Sequence, residues 1–354
     1  PREAVMAGAA ARRRARAAVL WGAALFVGGQ VMLSAGMDLW WPVLRDRELG
    51  LKLGSLRRRH AAAPSRPLAV VLGSSRTAFG FRPDALDAGG RGPDVVPCNF
   101  GLLGAGPLRE LLGLRRLLGA GARPDVLFVE VWPPLLAEEM GDKEAAQIDR
   151  ARYSWADLRL LRRYAGGPDF YTDWLRAHLL PAFSNRYTFL QDLGAAAWLP
   201  PPMDAHVTWF AVTPSGWTAD LRPITDEDRP RWQVGYRAQF GACMAHWHLS
   251  PASDRALRGL LALARRHGIP TALLVMPEDS AFRQTYSPES RAASDAYLRR
   301  LSAEAAVPLI DARTWAPDDA FTDGIHLSAV GAALFTHCFH EVAEPLLEQQ
   351  PACP

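Results

Sequence analysis

The sequence predicts an α/β fold: a three-layer α/β/α sandwich around five parallel strands, interrupted by an aromatic-rich insertion and preceded by a transmembrane helix. Three features predict it. Short apolar runs alternate with stretches of helical periodicity from Pro67 onward, which is the pattern of a parallel sheet covered on both faces. That alternation breaks between about residues 138 and 249. A long run without charge lies near the start of the chain, directly behind a cluster of arginines.

The arginine cluster comes first. Residues 1–16 carry Arg2, Arg12, Arg13, Arg14 and Arg16 against Glu3, a net +4, while the whole chain of 354 residues carries +3. The remainder is therefore close to neutral. A nucleic-acid binder concentrates basic residues on its folded part, so no nucleic-acid partner is expected. From Ala17 to Met37 no side chain is charged, and only Gln30 and Ser34 are polar. At about 1.5 Å per residue, some twenty residues cross a hydrocarbon core roughly 30 Å thick.

Trp40 and Trp41 follow where an aromatic belt would lie, and the preceding arginines place the N-terminus in the cytoplasm. The expectation is a single-pass anchor over 17–37, with a basic cytoplasmic tail over 1–16 and the rest of the chain outside, in the periplasm or at the cell surface. A cleaved signal peptide and a buried helix are the other readings of such a run.

Residues 38–66 read as a juxtamembrane linker, mixed in charge and ending in AAAPSRP. The main domain then spans 67–350. Its first strand is the run PLAVVLGSS, which meets a turn at Gly-Ser-Ser. DVVPCN is the second, and Pro97 assigns it an edge or strand-end position because proline cannot donate to a ladder. After the amphipathic LRELLGLRRLLGAG comes PDVLFVEVWPP, the third strand. A helix over 253–267, a strand TALLVMP, a helix over 288–306, a strand VPLIDA and a last helix from Ser328 complete the alternation.

The segment between Glu138 and Leu249 holds Tyr153, Trp155, Tyr164, Phe170, Tyr171, Trp174, Trp209, Trp217 and Trp232, too apolar a set for a flexible linker. It reads as a partly helical insertion over the mouth of the sheet. Cys98, Cys243, Cys338 and Cys353 show no CxxC spacing, so neither a zinc ribbon nor a dithiol site is expected. An oxidising compartment permits one or two disulfides among them, and Cys98 reads as a small apolar filler. Cys243, His246 and His248 offer too few ligands for a metal, and no cofactor is expected.

Open parallel sheets bind ligands beyond the carboxyl ends of their strands. The first strand ends there in Gly73-Ser74-Ser75-Arg76. A serine at that turn exposes its hydroxyl, but it is a weak nucleophile without an adjacent base. Asp323, three residues before His326 in FTDGIHLSAVGAALF, can hold an imidazole while the other ring nitrogen faces a serine. Read alone, Asp323 also suits a helix cap. Arg76 and Arg283 are tentative substrate contacts, because an arginine beside a strand end can hold a carboxylate or phosphate; an ordinary ion pair is the other reading of each.

The ordered blocks GSSR, NFGLLGAG, DVLFVEVWPP and TDGIHLSAVGAALF resemble the SGNH (GDSL-like) hydrolase superfamily over roughly residues 67–345. The resemblance implies a flavodoxin-like fold, Ser75 as nucleophile, and Asp323 and His326 as acid and base. It also implies an oxyanion hole made by the amides of Ser75 and a glycine after the second strand, for which Gly104 fits best and Gly101 or Gly106 are alternatives. Two departures stand out. Gly-Ser-Ser replaces the usual Gly-Asp-Ser, and Val131-Trp132-Pro133-Pro134 occupies the place of the family's third oxyanion donor, an asparagine.

GSSR, the anchor and the PED-x-x-x-R segment from Pro277 to Arg283 look closest to a membrane-anchored bacterial branch. That branch includes DUF1574-like proteins and resembles alginate O-acetylation proteins and the D-alanyl transfer protein of teichoic-acid modification. The resemblance implies a serine esterase or O-acyltransferase acting on an acylated small molecule or envelope glycan, beside a multispanning membrane acyltransferase. The alternative is a catalytically silent scaffold that binds glycan or that acyltransferase. The absent asparagine favours the scaffold; the intact Ser75, Asp323 and His326 oppose it.

Overall fold

Five apolar runs form one parallel sheet. The strands are β1 (Leu68–Gly73), β2 (Val96–Gly101), β3 (Val126–Glu130), β6 (Thr271–Val275) and β7 (Leu309–Asp311); a separate antiparallel pair, β4 (Phe210–Val212) and β5 (Thr218–Asp220), lies in the former insertion. The sheet order is β2-β1-β3-β6-β7, and every neighbouring pair is parallel. β2, with Pro97, is an edge strand, where a missing amide costs no ladder bond on the open side. The computed structural model describes residues 2–87, 95–147, 149–164, 168–192, 210–220, 224–225 and 227–348.

The helices used below are α1 (Arg2–Leu39), α2 (Arg47–Ala62), α3 (Ser75–Gly80), α4 (Pro107–Gly119), α5 (Glu138–Gln147), α6 (Pro168–Leu179), α7 (Pro181–Ser184), α8 (Arg229–Ala245), α9 (Pro251–Arg266), α10 (Pro288–Ala305) and α11 (Ala329–Glu348). Local chemistry starts them where they start. Ser250 caps α9 by accepting from the Ser253 amide, Ser287 caps α10 by accepting from the Ser290 amide, and each has proline in its first turn. α9 buries Ala256, Leu257, Leu260, Leu261 and Ala264, one stripe at helical spacing. On the sheet, Val71, Phe128 and Leu274 meet Phe335 and Phe339 of α11 in one apolar core.

The chain divides into two compact units. One comprises Glu48–Ile148, Arg163–Ala165 and Thr208–Pro354, and holds the sheet. The other comprises Pro1–Arg47, Asp149–Arg162 and Gly166–Val207. In the second unit α1 includes one stretch, Ala11–Leu39, long and apolar enough to cross a membrane. Arg45 folds back on it and donates to Asp38 and to Ser34. Arg152 donates to Asp46 at 2.6 Å, and the Trp174 indole donates to the Tyr153 carbonyl.

Two expectations change, and three of the cysteines can be placed. Residues 38–66 are not an open linker: α2 buries Leu49, Lys52, Leu53, Ser55 and Leu56, a helical stripe that the surrounding arginines obscured. The 138–249 segment is not one inserted body, since its middle groups with α1 and its ends with the sheet. Cys98, Cys243 and Cys338 are free thiols, and Cys98 and Cys243 are buried. Cys353 lies outside the described residues.

Candidate active site

β1 delivers the site. From Leu68 to Phe81 every residue is buried except Ser75. The exception has a local cause. Ser74 is the N-cap of α3, its hydroxyl accepting from the Arg76 amide, so the chain turns sharply and leaves Ser75 on the outside. Gly73 is required beneath it: a Cβ there would stand 2.1 Å from Thr77 Oγ1 and 2.4 Å from Glu130 Oε2.

Glu130, at the end of β3, organises that turn. Its Oε2 accepts from the Ser74 amide at 2.8 Å, the Thr77 amide at 3.3 Å and the Thr77 hydroxyl at 2.7 Å, while Oε1 accepts from the Ser74 hydroxyl at 3.0 Å. This decides between the two serines. Ser74 is buried and spent on Glu130, whereas the Ser75 hydroxyl lies 2.8 Å from His326 Nε2.

His326 comes from the loop between β7 and α11. Its Nδ1 lies 2.6 Å from Asp323 Oδ2, and Asp323 Oδ1 accepts from the amides of Ile325 and His326. Burial alone would raise the Asp323 pKa, but the His326 ring and those amides outweigh it and hold the carboxyl below the usual range. A carboxylate so held keeps the imidazole in the tautomer that presents an acceptor nitrogen to Ser75. The ring sits between two aromatic edges, Phe79 at 5.3 Å and Tyr236 of α8 at 5.6 Å.

The loop that carries this pair is braced from outside. Gly324 has φ +97°, and a Cβ there would stand 2.7 Å from Asp279 Oδ2. The Asp279 amide donates to the Gly324 carbonyl, and its carboxylate accepts from the Phe282 amide. Burial raises the Asp279 pKa. The sequence marks Asp279 only as part of the PED-x-x-x-R segment and does not single out Glu130, although a glutamate ending an apolar strand was a signal of an internal partner.

The amides after β2 sort themselves by elimination. Gly101 donates to Asn99 Oδ1, Leu102 to the Gly73 carbonyl, Leu103 to Glu48, Ala105 to the Leu102 carbonyl and Gly106 to Glu144. Gly104, at φ +67° and exposed, is the one amide of this loop with no partner among the described residues. The Ser75 amide is likewise without a partner there. At the end of β3, the Trp132 indole donates to Glu278 at 2.8 Å, so it is not a free donor for the site.

Neither arginine stands in the site. Arg76 is buried beneath it, donating to the Met276 and Pro277 carbonyls, with its guanidinium 4.6 Å from the Trp132 ring. Glu130 and Glu278 flank it at 3.8 and 3.9 Å. Arg283 is half-buried and donates to the carbonyls of Glu278 and Arg313. Both guanidinium groups tie strand ends together through backbone carbonyls.

Asn99 supports α3 from the other side. Its Nδ2 donates to the carbonyls of Thr77, Ala78 and Phe81, and its Oδ1 accepts from Lys52 of α2 at 3.2 Å. Lys52 also donates to the Gly216 carbonyl at 2.6 Å. Burial pushes the Lys52 pKa down to about 7, with Glu48 opposing it. The unfolded chain, in which the lysine titrates near 10.5, therefore binds more protons between pH 7 and 10.5. Raising the pH through that window favours the folded state. The stability of the wild type should gain on that of Lys52→Met by up to about 1.4 kcal/mol per pH unit there, and by nothing below it. Urea unfolding of both proteins at several pH values reads this difference; a constant difference would refute a lysine neutral when folded.

No protein-family model matches this sequence, and no curated protein does. Among solved structures, the chain is similar to one assigned as a lipolytic protein of the G-D-S-L family from Desulfitobacterium hafniense DCB-2, at 11% identity and TM-score 0.35, over 78% of this chain and 99% of that one. A structure assigned as a platelet activating factor from Streptococcus pneumonia matches at 13% identity and TM-score 0.38, over 89% and 98%. One assigned as an arylesterase from Agrobacterium tumefaciens str. C58 matches at 13% and 0.32, over 80% and 100%. The likeness is one of fold.

Proposed function

We propose that this chain is an SGNH-type serine esterase or O-acyltransferase that works through an acyl-serine intermediate, with Ser75 as nucleophile, His326 as base and Asp323 as its orienting acid. The observation that carries the reading is the continuous line from Asp323 Oδ2 through His326 to the Ser75 hydroxyl, at 2.6 and 2.8 Å. A silent scaffold has no need of that geometry.

The steps follow from it. His326 Nε2 takes the Ser75 proton as Oγ bonds to the ester carbonyl carbon, and the carbonyl oxygen becomes an oxyanion. The amides of Ser75 and Gly104 are free to donate to that oxyanion. When the tetrahedral centre collapses, the ester C–O bond breaks and the leaving alkoxide takes the proton from Nε2. An acceptor hydroxyl then gives its proton to His326 and attacks the acyl group, and Ser75 regains its proton on release. Water as acceptor makes an esterase; a glycan hydroxyl makes a transferase. With two donors in place of three, turnover is expected to be roughly 100–1000-fold below that of a complete hole.

The location proposed is an anchor in α1 with its N-terminus in the cytoplasm and the sheet-bearing unit outside, acting on acylated envelope polysaccharide beside a multispanning acyltransferase. The arginines before the apolar stretch and the tryptophans after it support this orientation. The test is mass spectrometry of the detergent-solubilised chain after brief exposure to p-nitrophenyl acetate, with and without glycan acceptors. An acetyl group on Ser75, drained faster by a glycan than by water, is the expected result. Folded protein that never carries acetyl-Ser75 would be the scaffold.

A further inference from the structure

In the unit that contains α1, the last third of that helix does not stand alone. α6 and α7 pack against it, and the Ala182 amide of α7 reaches the Gln30 side chain at 3.5 Å. Gln30 precedes Met37, the end of the charge-free run, by seven residues, or about 10 Å of helix axis. α7 therefore lies beside α1 at a depth well inside the apolar stretch, not level with its end.

The outward surface at this depth is apolar. Leu179, Leu180 and Phe183, at the α6–α7 turn, are 47%, 43% and 66% exposed, and Leu175, one turn earlier on α6, is 46% exposed. Charge lies only to either side of the turn's tip. The Asp173–Arg176 pair precedes it on α6, and Arg186 follows, its guanidinium 4.3 Å from the Phe183 ring and 4.5 Å from the Tyr187 ring. Arginine beside aromatic rings is the composition of a lipid headgroup boundary.

The backbone also meets the condition for entering lipid. The amides of Leu180, Phe183, Ser184 and Asn185 donate to Arg176, Leu180, Leu180 and Pro181 carbonyls, so the turn carries its own hydrogen bonds.

We propose that the tip of the α6–α7 turn, from Leu179 to Phe183, is embedded in the acyl chains of the leaflet at the C-terminal end of α1, with the Asp173–Arg176 pair at the headgroup level, so that the chain both spans the bilayer and inserts a second apolar wedge from one side. The proposal rests on α1 being membrane-spanning, as proposed above. The wedge would fix the rotation of α1 in the membrane, because it sits on one face of that helix only.

The test uses the full chain in phosphatidylcholine vesicles, with a photoreactive benzophenone amino acid at position 179 or 183. The same residue at Phe26 reports the anchor, and at Arg300, on the sheet-bearing unit, reports background. All four sites are exposed, so each variant is expected to fold; circular dichroism verifies this. After irradiation, lipid adducts at 179 and 183 should match those at 26 and exceed those at 300 by about tenfold or more. Adducts at 26 with only background at 179 and 183 would overturn the wedge and leave the anchor standing, as would be found if a protein partner covers this face. Background at 26 as well would overturn the anchor and the wedge together.

Discussion

Replacing Ser75 with alanine should lower ester turnover by about 10⁴–10⁶-fold, and His326→Ala should lower it as much. The two act as one unit, since the hydroxyl is a nucleophile only while its proton has somewhere to go. The double variant should therefore be no worse than either single variant. Asp323→Asn should keep the fold and cost roughly 10⁴-fold, because an amide favours the wrong imidazole tautomer.

The pH dependence follows from the sign of the Asp323 shift. Its folded pKa lies below the usual range, so the stability it contributes is present above that range and is lost only as the pH falls through the lowered value. Asp323→Asn should consequently flatten the acid end of the stability profile. Values of kcat/KM for p-nitrophenyl acetate, with fluorophosphonate labelling, check the series. Undiminished labelling of Ser75→Ala would discard this nucleophile.

Glu130→Ala should destabilise the sheet-bearing unit by about 3–5 kcal/mol, the usual result of removing one partner from a buried charged network. For a unit of this size that corresponds to a fall in Tm of about 10 °C. The loss has several parts. The amide and hydroxyl of Ser74 and both donors of Thr77 lose a buried acceptor, and Arg76 keeps only Glu278 among its flanking carboxylates. Ser75 stands on that turn, so activity should fall even where the variant remains folded.

Glu110 provides the contrast. It is also buried, but its Oε2 has no hydrogen-bond partner, and burial with Glu130 and Glu144 nearby raises its pKa well above the ordinary value. A carboxyl pushed toward its neutral form resembles glutamine. Glu110→Gln should cost under about 1 kcal/mol. Thermal unfolding of both variants decides the point, and equal losses would show that Glu130 is not the keystone of the turn.

Much of this was legible in the residues. Apolar runs ending in Gly-Ser-Ser, Pro-Pro and Met-Pro mark strand ends because apolar residues want burial and glycine and proline want turns. Asp323-x-x-His326 is a local pair whose spacing sets its own hydrogen bond. Other parts were hidden. Leu49, Leu53 and Leu56 form a helical stripe, yet Lys52 among them and the arginines on either side suggested a linker. Arg76 and Arg283 looked like ligands because a sequence does not reveal which way a guanidinium turns.

The division has a physical reason. Sequence alone determined the strand and helix types, the charge-free apolar stretch near the start, the serine-bearing turn and the Asp–His pair, all of which rest on interactions among residues a few positions apart. Ser75 and Gly104 were named through a resemblance, and tertiary structure supplied the reasons: Ser74 is spent on Glu130, the neighbouring amides of Gly104 are occupied, and Glu130 and Asp279 brace the two loops. Those outcomes depend on contacts across a sheet, where residues far apart in the chain compete for the same few buried donors and acceptors.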